Sequence, residues 1–235
     1  ITKEKNNMRV QIYDTYEEMS SAAADLVAAQ LLQKPNCHLG MTAGATPVGL
    51  CAELVKLYEA GHVSFKECTL YNLEEFADVP ASDEGNLRHT FFNARLLDFV
   101  DATEEQLKMP NGYDYGIEEG CKKYDEMMDN LPEGRLDMQI LGIGADGHIG
   151  MNKPMENMTA AAHQVNNAKG RPTCAMGLRH ILLSKRIIMI ANGTHKADAV
   201  NKMINGPITT NCPASLLQLH PDVVVLLDKE AASLL

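Results

Sequence analysis

A carboxylate and an imidazole stand two positions apart in a glycine-rich segment near the middle of the chain. The segment reads Leu141-Gly-Ile-Gly-Ala-Asp-Gly-His-Ile-Gly-Met-Asn-Lys-Pro154 and supplies Asp146 and His148. The apolar run at its start, residues 138–143, predicts a buried strand. Open α/β sheets hold ligands at the carboxyl ends of their strands, so this turn is a candidate site for proton transfer. The alternative is an ordinary strand exit with a capping aspartate and a solvated histidine.

Two earlier strand ends also carry groups that could do chemistry. Residues 38–42 lead into Thr42-Ala-Gly-Ala-Thr-Pro47, a loop of small residues that enters a helix. Its backbone N–H groups, the helix dipole and the Thr46 hydroxyl predict an anion site. Residues 68–72 lead to Glu74 and Glu75, which point in different directions because they are adjacent, so at most one faces a cleft. The alternative is that both are first-turn carboxylates of a helix.

Cations follow at two later positions. Asn192-Gly-Thr-His-Lys196 is a glycine turn that places Lys196 in the first turn of a helix. The helix dipole disfavours a cation there unless an anion is bound, and the alternative is a solvated lysine. Arg171 could supply a second cation. A phosphate site beside a carboxylate and a His–Asp pair predicts proton transfer on a phosphorylated small molecule. Nucleotide-binding glycine motifs such as the Walker loop are absent, which argues against a nucleotide ligand.

Apolar strands alternate with helices along the chain. This order predicts an α/β fold with a doubly wound, mostly parallel sheet and helices on both faces. No repeat or linker interrupts it, so we expect one domain over residues 1–235. The predicted strands are 8–13, 38–42, 68–72, 136–144, 186–191 and 222–228, and the predicted helices are 15–32, 48–60, 86–99, 115–130, 196–204 and 214–219.

Composition narrows the classes of function. The formal net charge is −10, which argues against nucleic acid and anionic membranes as partners. No apolar run approaches the roughly 18 residues that span a bilayer. The opening residues are polar, so we expect no leader segment. The six cysteines are scattered without a C-x-x-C pair, which predicts reduced thiols, a cytoplasmic location and no zinc site.

Five segments of the chain, in order and spacing, resemble the glucosamine-6-phosphate deaminase/isomerase family, including its galactosamine-6-phosphate branch. The likeness runs from about Met8 to the end, and Gly170-Arg-Pro172 looks more like the galactosamine branch. The segments are Gly44-Ala-Thr-Pro47, Tyr71-Asn-Leu-Glu-Glu-Phe76, residues 141–154 as quoted above, Asn192-Gly-Thr-His-Lys-Ala197 and Pro213-Ala-Ser-Leu-Leu-Gln-Leu-His220.

The resemblance implies a function and a set of roles. It implies the doubly wound sheet, no metal and no redox cofactor. The implied reaction opens the ring of an amino-sugar phosphate, moves a proton between C2 and C1, and releases ammonia to leave fructose 6-phosphate. The implied base is Glu74, and His148, supported by Asp146, opens the ring. The implied phosphate contacts are Gly44, Ala45, Thr46 and Lys196, with Arg171 as a further one.

Three residues depart from the family pattern at functional positions. Glu74 replaces the usual aspartate, and a displacement of ~1 Å at a reacting group can cost on the order of 100-fold in rate. Lys153 replaces a glutamate, and pointing inward it would disfavour the protonated form of His148. Ala43 removes a hydroxyl from the small-residue loop. Our hypothesis is a pocket that binds a hexose 6-phosphate and whose reaction is altered, slowed or lost.

Two other functions stay open at this stage. One is a non-catalytic sugar-phosphate sensor, which the three departures favour. The other is a 6-phosphogluconolactonase, a sister family that usually continues Gly-His-Thr where this chain has Ile149. The chain stops soon after its last predicted strand, which fits a monomer or a small homo-oligomer.

Overall fold

The computed structural model describes residues 2–5 and 7–235, with side chains from residue 7 onward. The expectation for the opening residues falls partly on residues 1 and 6, which lie outside the described residues. The described strands are β1 (Thr2–Lys5), β2 (Met8–Tyr13), β3 (His38–Met41), β4 (Thr69–Asn72), β5 (Glu74–Phe76), β6 (Leu107–Lys108), β7 (Met138–Gly142), β8 (His163–Asn166), β9 (Pro172–Ala175), β10 (Ile187–Ala191) and β11 (Val223–Asp228). The α-helices are α1 (Tyr16–Gln33), α2 (Pro47–Glu59), α3 (Gly112–Tyr115), α4 (Ile117–Asp129), α5 (Leu178–Leu183) and α6 (Ala197–Asn205).

The central sheet is mostly parallel, which confirms the predicted fold class. Its order is β1-β2-β11-β10-β7-β3-β4-β6. Seven of these strands run parallel, and β1 pairs antiparallel with β2 at one edge. Connections between parallel strands need crossovers, and α1, α2 and α6 occupy three of them.

The sheet is buried on both faces, and its central strands are mostly apolar, with β10 apolar at every position. Successive side chains of a strand point to opposite faces. In β10, Ile187 and Met189 pack into one hydrophobic cluster, and Ile188 and Ile190 pack into the other. Helices therefore cover both faces, as the unbroken apolar runs indicated. Within the described residues, no helix has the length and apolar character to cross a membrane.

A second, antiparallel sheet was not predicted. It has the order β5-β9-β8, and β8 and β9 form a hairpin whose loop spans residues 167–171. Glu74 and Glu75 lie in β5, so the alternative that they begin a helix is wrong. The reason is pairing with β9, a long-range contact that local sequence does not reveal.

Two predicted helices differ from the expectation in helix type. Residues 86–99 form a π-helical stretch, Arg88–Asn93, followed by a 3₁₀ turn, Leu97–Phe99. The predicted helix at 115–130 is confirmed as α4, and Gly116, whose φ is +79°, separates it from the short helix α3 before it. The predicted short helix near 214–219 is a 3₁₀ helix, Pro213–Leu219. The remaining predicted helices are confirmed within a few residues.

The sheet order explains why the candidate residues can meet. Strands β4, β3, β7 and β10 are consecutive neighbours and run in the same direction. Their carboxyl ends therefore lie along one edge of the sheet. The segments that follow these ends are those that carry Glu74, Thr46, His148 and Lys196.

Candidate active site

The turn after β7 holds the histidine and the aspartate against each other. His148 Nδ1 lies 2.6 Å from Asp146 Oδ1, and the His148 backbone N–H donates to the same oxygen at 3.2 Å. Burial opposes ionisation of the Asp146 carboxyl, but these hydrogen bonds and the charge of His148 hold its pKa below its ordinary value. Asp146 therefore fixes the orientation of the imidazole, leaving Nε2 as its other functional atom.

Gly144 makes this close pairing possible. A Cβ atom at Gly144 would lie 2.1 Å from His148 Nδ1 and 2.5 Å from Asp146 Oδ1. Only glycine leaves room for the imidazole to fold back over the turn. The Gly144 backbone N–H also donates to the His148 carbonyl at 2.9 Å. Gly144 is therefore required by the position of the histidine.

Glu74 lies just after β4, at the start of β5, and its carboxyl group is buried. Its Oε2 is buried and has no hydrogen-bond partner among the described residues. Burial raises the pKa of Glu74 to about 7, with a further rise from Glu75 and an opposing effect of the Lys153 charge. A carboxyl with a pKa near neutrality can exchange protons in either direction, which suits a general base.

Glu75 has a structural role instead. Its carboxylate accepts hydrogen bonds from the backbone N–H groups of Phe76, Leu87 and Arg88. These bonds tie β5 to the π-helical stretch that follows. Of the two adjacent glutamates, only Glu74 lines the pocket described below.

The loop after β3 presents unpaired backbone donors. The N–H groups of Gly44, Ala45 and Thr46 have no acceptor among the described residues. They precede α2, whose first residue is Pro47. The positive end of the helix dipole and these donors together form a site suited to an anion. The Thr46 hydroxyl lies here too and donates to Asn192 Oδ1 at 2.7 Å.

Lys196 supplies a cation to the same place. It ends a 3₁₀ turn, Thr194–Lys196, that leads from β10 into α6. Its ammonium has no hydrogen-bond or ion-pair partner among the residues that the structure describes. Burial lowers the pKa of Lys196, and the Asp146 carboxylate acts in the opposite direction. A half-buried ammonium without a partner is suited to bind an anion.

These groups line one pocket of about 250 Å³. The sequence-predicted residues that it brings together are Gly44, Ala45, Thr46, Glu74, His148 and Lys196. Asp146 does not line this pocket itself, but it contacts His148, which does. The pocket therefore has an anion-binding end and an end with two groups able to move protons.

Arg171 and Lys153 lie outside this pocket. Both line a second cavity of about 720 Å³, which shares His148 and Met151 with the first. The Arg171 guanidinium bonds both carboxylate oxygens of Asp78, at 2.7–3.2 Å, and lies 3.9 Å from the centre of the Phe76 ring. In this structure Arg171 is therefore not gathered with the other predicted phosphate contacts.

Lys153 is held by a neutral group. Its Nζ donates to the Asn166 carbonyl at 2.6 Å. Its charge lowers the pKa of Glu74, so it lies close enough to influence the reacting end of the pocket. The cation that departs from the family pattern thus acts on the proposed base.

Sequence reasoning missed two residues that position the site. Asn192 holds the Thr46 hydroxyl, and Asp78 holds Arg171. Asn192 lies in the Asn-Gly-Thr-His-Lys segment, so its polar side chain at a strand end was an available signal. Asp78 lies in an irregular polar region and gave no signal. Among the described residues, no cluster of three or more His, Cys, Asp or Glu side chains could hold a metal ion.

The fold and pocket define a class of sugar-phosphate-binding α/β proteins, and the family model places the chain within it. The model described as glucosamine-6-phosphate isomerases/6-phosphogluconolactonase matches residues 14–226. The chain belongs to this family, which confirms the resemblance found in the sequence.

Relatives with assigned names cover nearly the whole chain. It is 39% identical over 242 residues to a glucosamine-6-phosphate deaminase of Clostridium botulinum (strain Kyoto / Type A2), covering 96% of this chain and 98% of the relative. It is 38% identical over 248 residues to a glucosamine-6-phosphate deaminase of Thermoanaerobacter pseudethanolicus, covering 97% and 95%.

Two solved structures are similar to this chain over most of its length. A monomeric glucosamine-6-phosphate deaminase superposes with a TM-score of 0.90 at 36% identity, covering 96% of this chain and 99% of that one. A 6-phosphogluconolactonase from Trypanosoma cruzi gives a TM-score of 0.76 at 18% identity, covering 95% of each chain. The second likeness shows the fold alone.

Proposed function

We propose that this chain converts an amino-hexose 6-phosphate and water into a ketose 6-phosphate and ammonia. The observation that carries the proposal is the pocket in which an anion-binding loop and Lys196 lie at one end and Glu74 and His148 at the other. Its relatives named glucosamine-6-phosphate deaminase support this choice over a lactonase, to which the likeness is one of fold.

The phosphate is bound at the end formed by the small-residue loop. The free N–H groups of Gly44, Ala45 and Thr46 donate to its oxygens, and the Lys196 ammonium balances its charge. Holding the phosphate away from the reacting carbons fixes the sugar relative to the acid and base. Arg171 is not needed for this arrangement.

Ring opening is assigned to His148. The imidazole moves a proton from O1 to O5, which breaks the C1–O5 bond and leaves an aldehyde at C1. Asp146 keeps Nδ1 engaged, so that Nε2 handles this proton. The open chain then presents an acidic hydrogen at C2, next to the carbonyl.

Isomerisation and ammonia release are assigned to Glu74. Its carboxylate removes the C2 hydrogen as a proton and delivers it to C1, while a second proton passes from the amine nitrogen to O1. These two transfers convert the aldehyde and amine into a C1 alcohol and a C2 imine. Water adds to the imine carbon, and the C–N bond breaks to give a ketone and ammonia. A buried carboxylate with a pKa of about 7 is basic enough to take the first proton and acidic enough to return it.

The test is direct. The purified full chain is incubated with glucosamine 6-phosphate and, separately, with galactosamine 6-phosphate, and both ammonia and ketose 6-phosphate are measured. The proposal predicts equal amounts of the two products from at least one epimer. Saturable binding of the sugar phosphates without either product would reject it and favour the sensor.

The sensor is the second candidate because of one observation. Lys153 places a cation beside the reacting end, where it affects Glu74 and lines a cavity with His148. A positive charge there opposes the development of positive charge on the substrate nitrogen before it leaves. Calorimetry with both amino sugars, run beside the ammonia assay, separates binding from turnover.

Further expectations belong to this proposal. We propose that the ligand is a small sugar phosphate, that the chain forms a single functional domain, and that it acts as a monomer or small homo-oligomer in the cytoplasm. Six buried, unbridged cysteines support a reducing location. Light scattering of the purified chain measures its oligomeric state.

A further inference from the structure

We propose that the larger cavity next to the active-site pocket is a second anion-binding site, which takes a phosphate, sulfate or carboxylate group beside the reacting end of the sugar. The inference rests on the proposed function, because the sugar in the first pocket defines which group lies nearby. The amino-hexose 6-phosphate of the proposed function has no second anionic group, so the anion is either a separate small effector or the second anionic group of another sugar that the pocket accepts.

The position of the cavity is the first observation. It has a volume of about 720 Å³, and His148 and Met151 form part of its wall as well as part of the first pocket. The small-residue loop and Lys196, which line the first pocket, do not line this cavity. The second cavity is therefore additional space that opens at the imidazole, not at the phosphate end.

The charge of its wall is the second observation. Lys153, Lys169 and Arg171 line the cavity, whereas Asp146 is its single acidic lining residue among those that the structure describes. The charge of Arg171 is balanced by Asp78, and Asp146 is paired with His148. The excess positive charge thus comes from Lys153 and Lys169.

Neither of these two lysines is neutralised by an acid. The Lys153 ammonium donates to a backbone carbonyl, and the Lys169 ammonium has no partner in the described part of the chain. A protein with a net charge of −10 that gathers uncompensated cations in one cavity concentrates anions there.

The remaining wall suits the carbon skeleton of a ligand. Phe76, Leu87 and Met151 give the cavity an apolar floor. The Phe76 ring is already covered on one face by the Arg171 guanidinium. Sites for small molecules are typically lined by apolar side chains, with a few polar groups that orient the ligand.

Two calorimetric arms identify the source of the anion. In the first, glucose 1,6-bisphosphate is compared with glucose 6-phosphate, and tighter binding of the bisphosphate is expected if the anion is carried by the substrate. In the second, the first pocket is saturated with sorbitol 6-phosphate, which cannot isomerise, and inorganic phosphate is then added. A second saturable event is expected if the anion is a separate effector.

Matched variants locate the effect. Lys169→Gln is expected to weaken the second interaction about two- to fivefold, because it removes one exposed charge. Lys153→Gln is expected to weaken it about tenfold, because that lysine is fixed by a hydrogen bond. Lys66→Gln is the control: it removes an equal charge before β4, at the opposite edge of the sheet, and is expected to leave the second interaction unchanged.

Two results would overturn the inference. One is that neither arm detects an anion beyond the first phosphate. The other is that Lys153→Gln and Lys169→Gln bind the second anion as tightly as the unchanged protein. Sorbitol 6-phosphate binding and ammonia release report on the first pocket alone, so a failure of the proposed function is seen separately.

Discussion

Thr46 Oγ1 donates a hydrogen bond of 2.7 Å to Asn192 Oδ1 and so joins two loops that are far apart in sequence. One loop follows β3 and the other follows β10, with β7 between them in the sheet. The bond fixes the side chain of Thr46, one of the residues that line the pocket, to the loop that carries Lys196. The threonine hydroxyl has one hydrogen, so it can donate to a phosphate only when Asn192 turns its amide and donates an N–H to Thr46 Oγ1 instead.

The phosphate end gives a prediction about binding. Lys196→Met removes the partnerless ammonium, and we expect KM for the sugar phosphate to rise about 10- to 100-fold with a much smaller change in kcat, since a charged hydrogen bond is lost. Lys202→Met is the matched control, because Lys202 lies further along α6 and pairs with Asp198 on the surface. Steady-state kinetics measure both. An equal fall in kcat for Lys196→Met would contradict a role in binding alone.

The base gives a prediction about the chemical step. Glu74→Gln keeps the size of the side chain and removes its ability to take a proton. We expect kcat to fall about 100- to 10,000-fold, the usual contribution of a general base. The Kd for sorbitol 6-phosphate, whose binding needs no base, should stay within about threefold, since the contacts with its phosphate are unchanged. Exchange of the C2 hydrogen with deuterated water should stop, and persistent exchange in the variant would assign the base elsewhere.

The raised pKa of Glu74 gives a prediction about pH. The carboxyl must be ionised to act as the base, and its pKa is about 7 in the free protein. We therefore expect kcat/KM to rise with pH and to level off above about pH 7, and the rise to be absent from the residual activity of Glu74→Gln. Lys153 favours the ionised carboxylate, so Lys153→Met should move the rise to higher pH. A shift to lower pH would show that the two charges do not interact as the structure indicates.

The contact between Asp146 and His148 gives a fourth prediction. Asp146→Asn preserves the shape of the side chain but removes the charge that orients and supports the imidazole. We expect kcat to fall about 100-fold or more, because the imidazole loses its fixed tautomer. Asp198→Asn, at an exposed position in α6, is the control. If ring opening is the affected step, a substrate supplied in its open-chain form should recover part of the lost rate.

The sequence predicted the parallel sheet and most of the pocket for the same reason. Unbroken apolar runs such as 187–191 and 223–227 identify strands buried on both faces. The carboxyl ends of neighbouring parallel strands converge, so the groups that follow them meet. Glu74, Thr46, His148 and Lys196 all follow such ends and line one pocket.

What the sequence did not predict depends on contacts between distant segments. In the β5-β9-β8 sheet, β5 pairs with residues of β9 that lie about a hundred positions further along the chain. Its strands are only three or four residues long. Arg171 was expected near the phosphate, but its position is set by Asp78 and Phe76, which lie in a segment without clear periodicity. The direction of the Lys153 ammonium likewise depends on the Asn166 carbonyl.

The hairpin of β8 and β9 has a consequence for how this family can diversify. Among the strands that the structure describes, β5, which carries Glu74, pairs only with β9. The position of the Glu74 carboxylate therefore depends on the same hairpin whose loop carries Lys169 and Arg171. Exchanging residues 163–175 between relatives would therefore change the position of the base and the charge of the neighbouring cavity together. We expect such chimaeras to act on a different sugar. The large sheet should keep its architecture, because β8 and β9 are not among its strands.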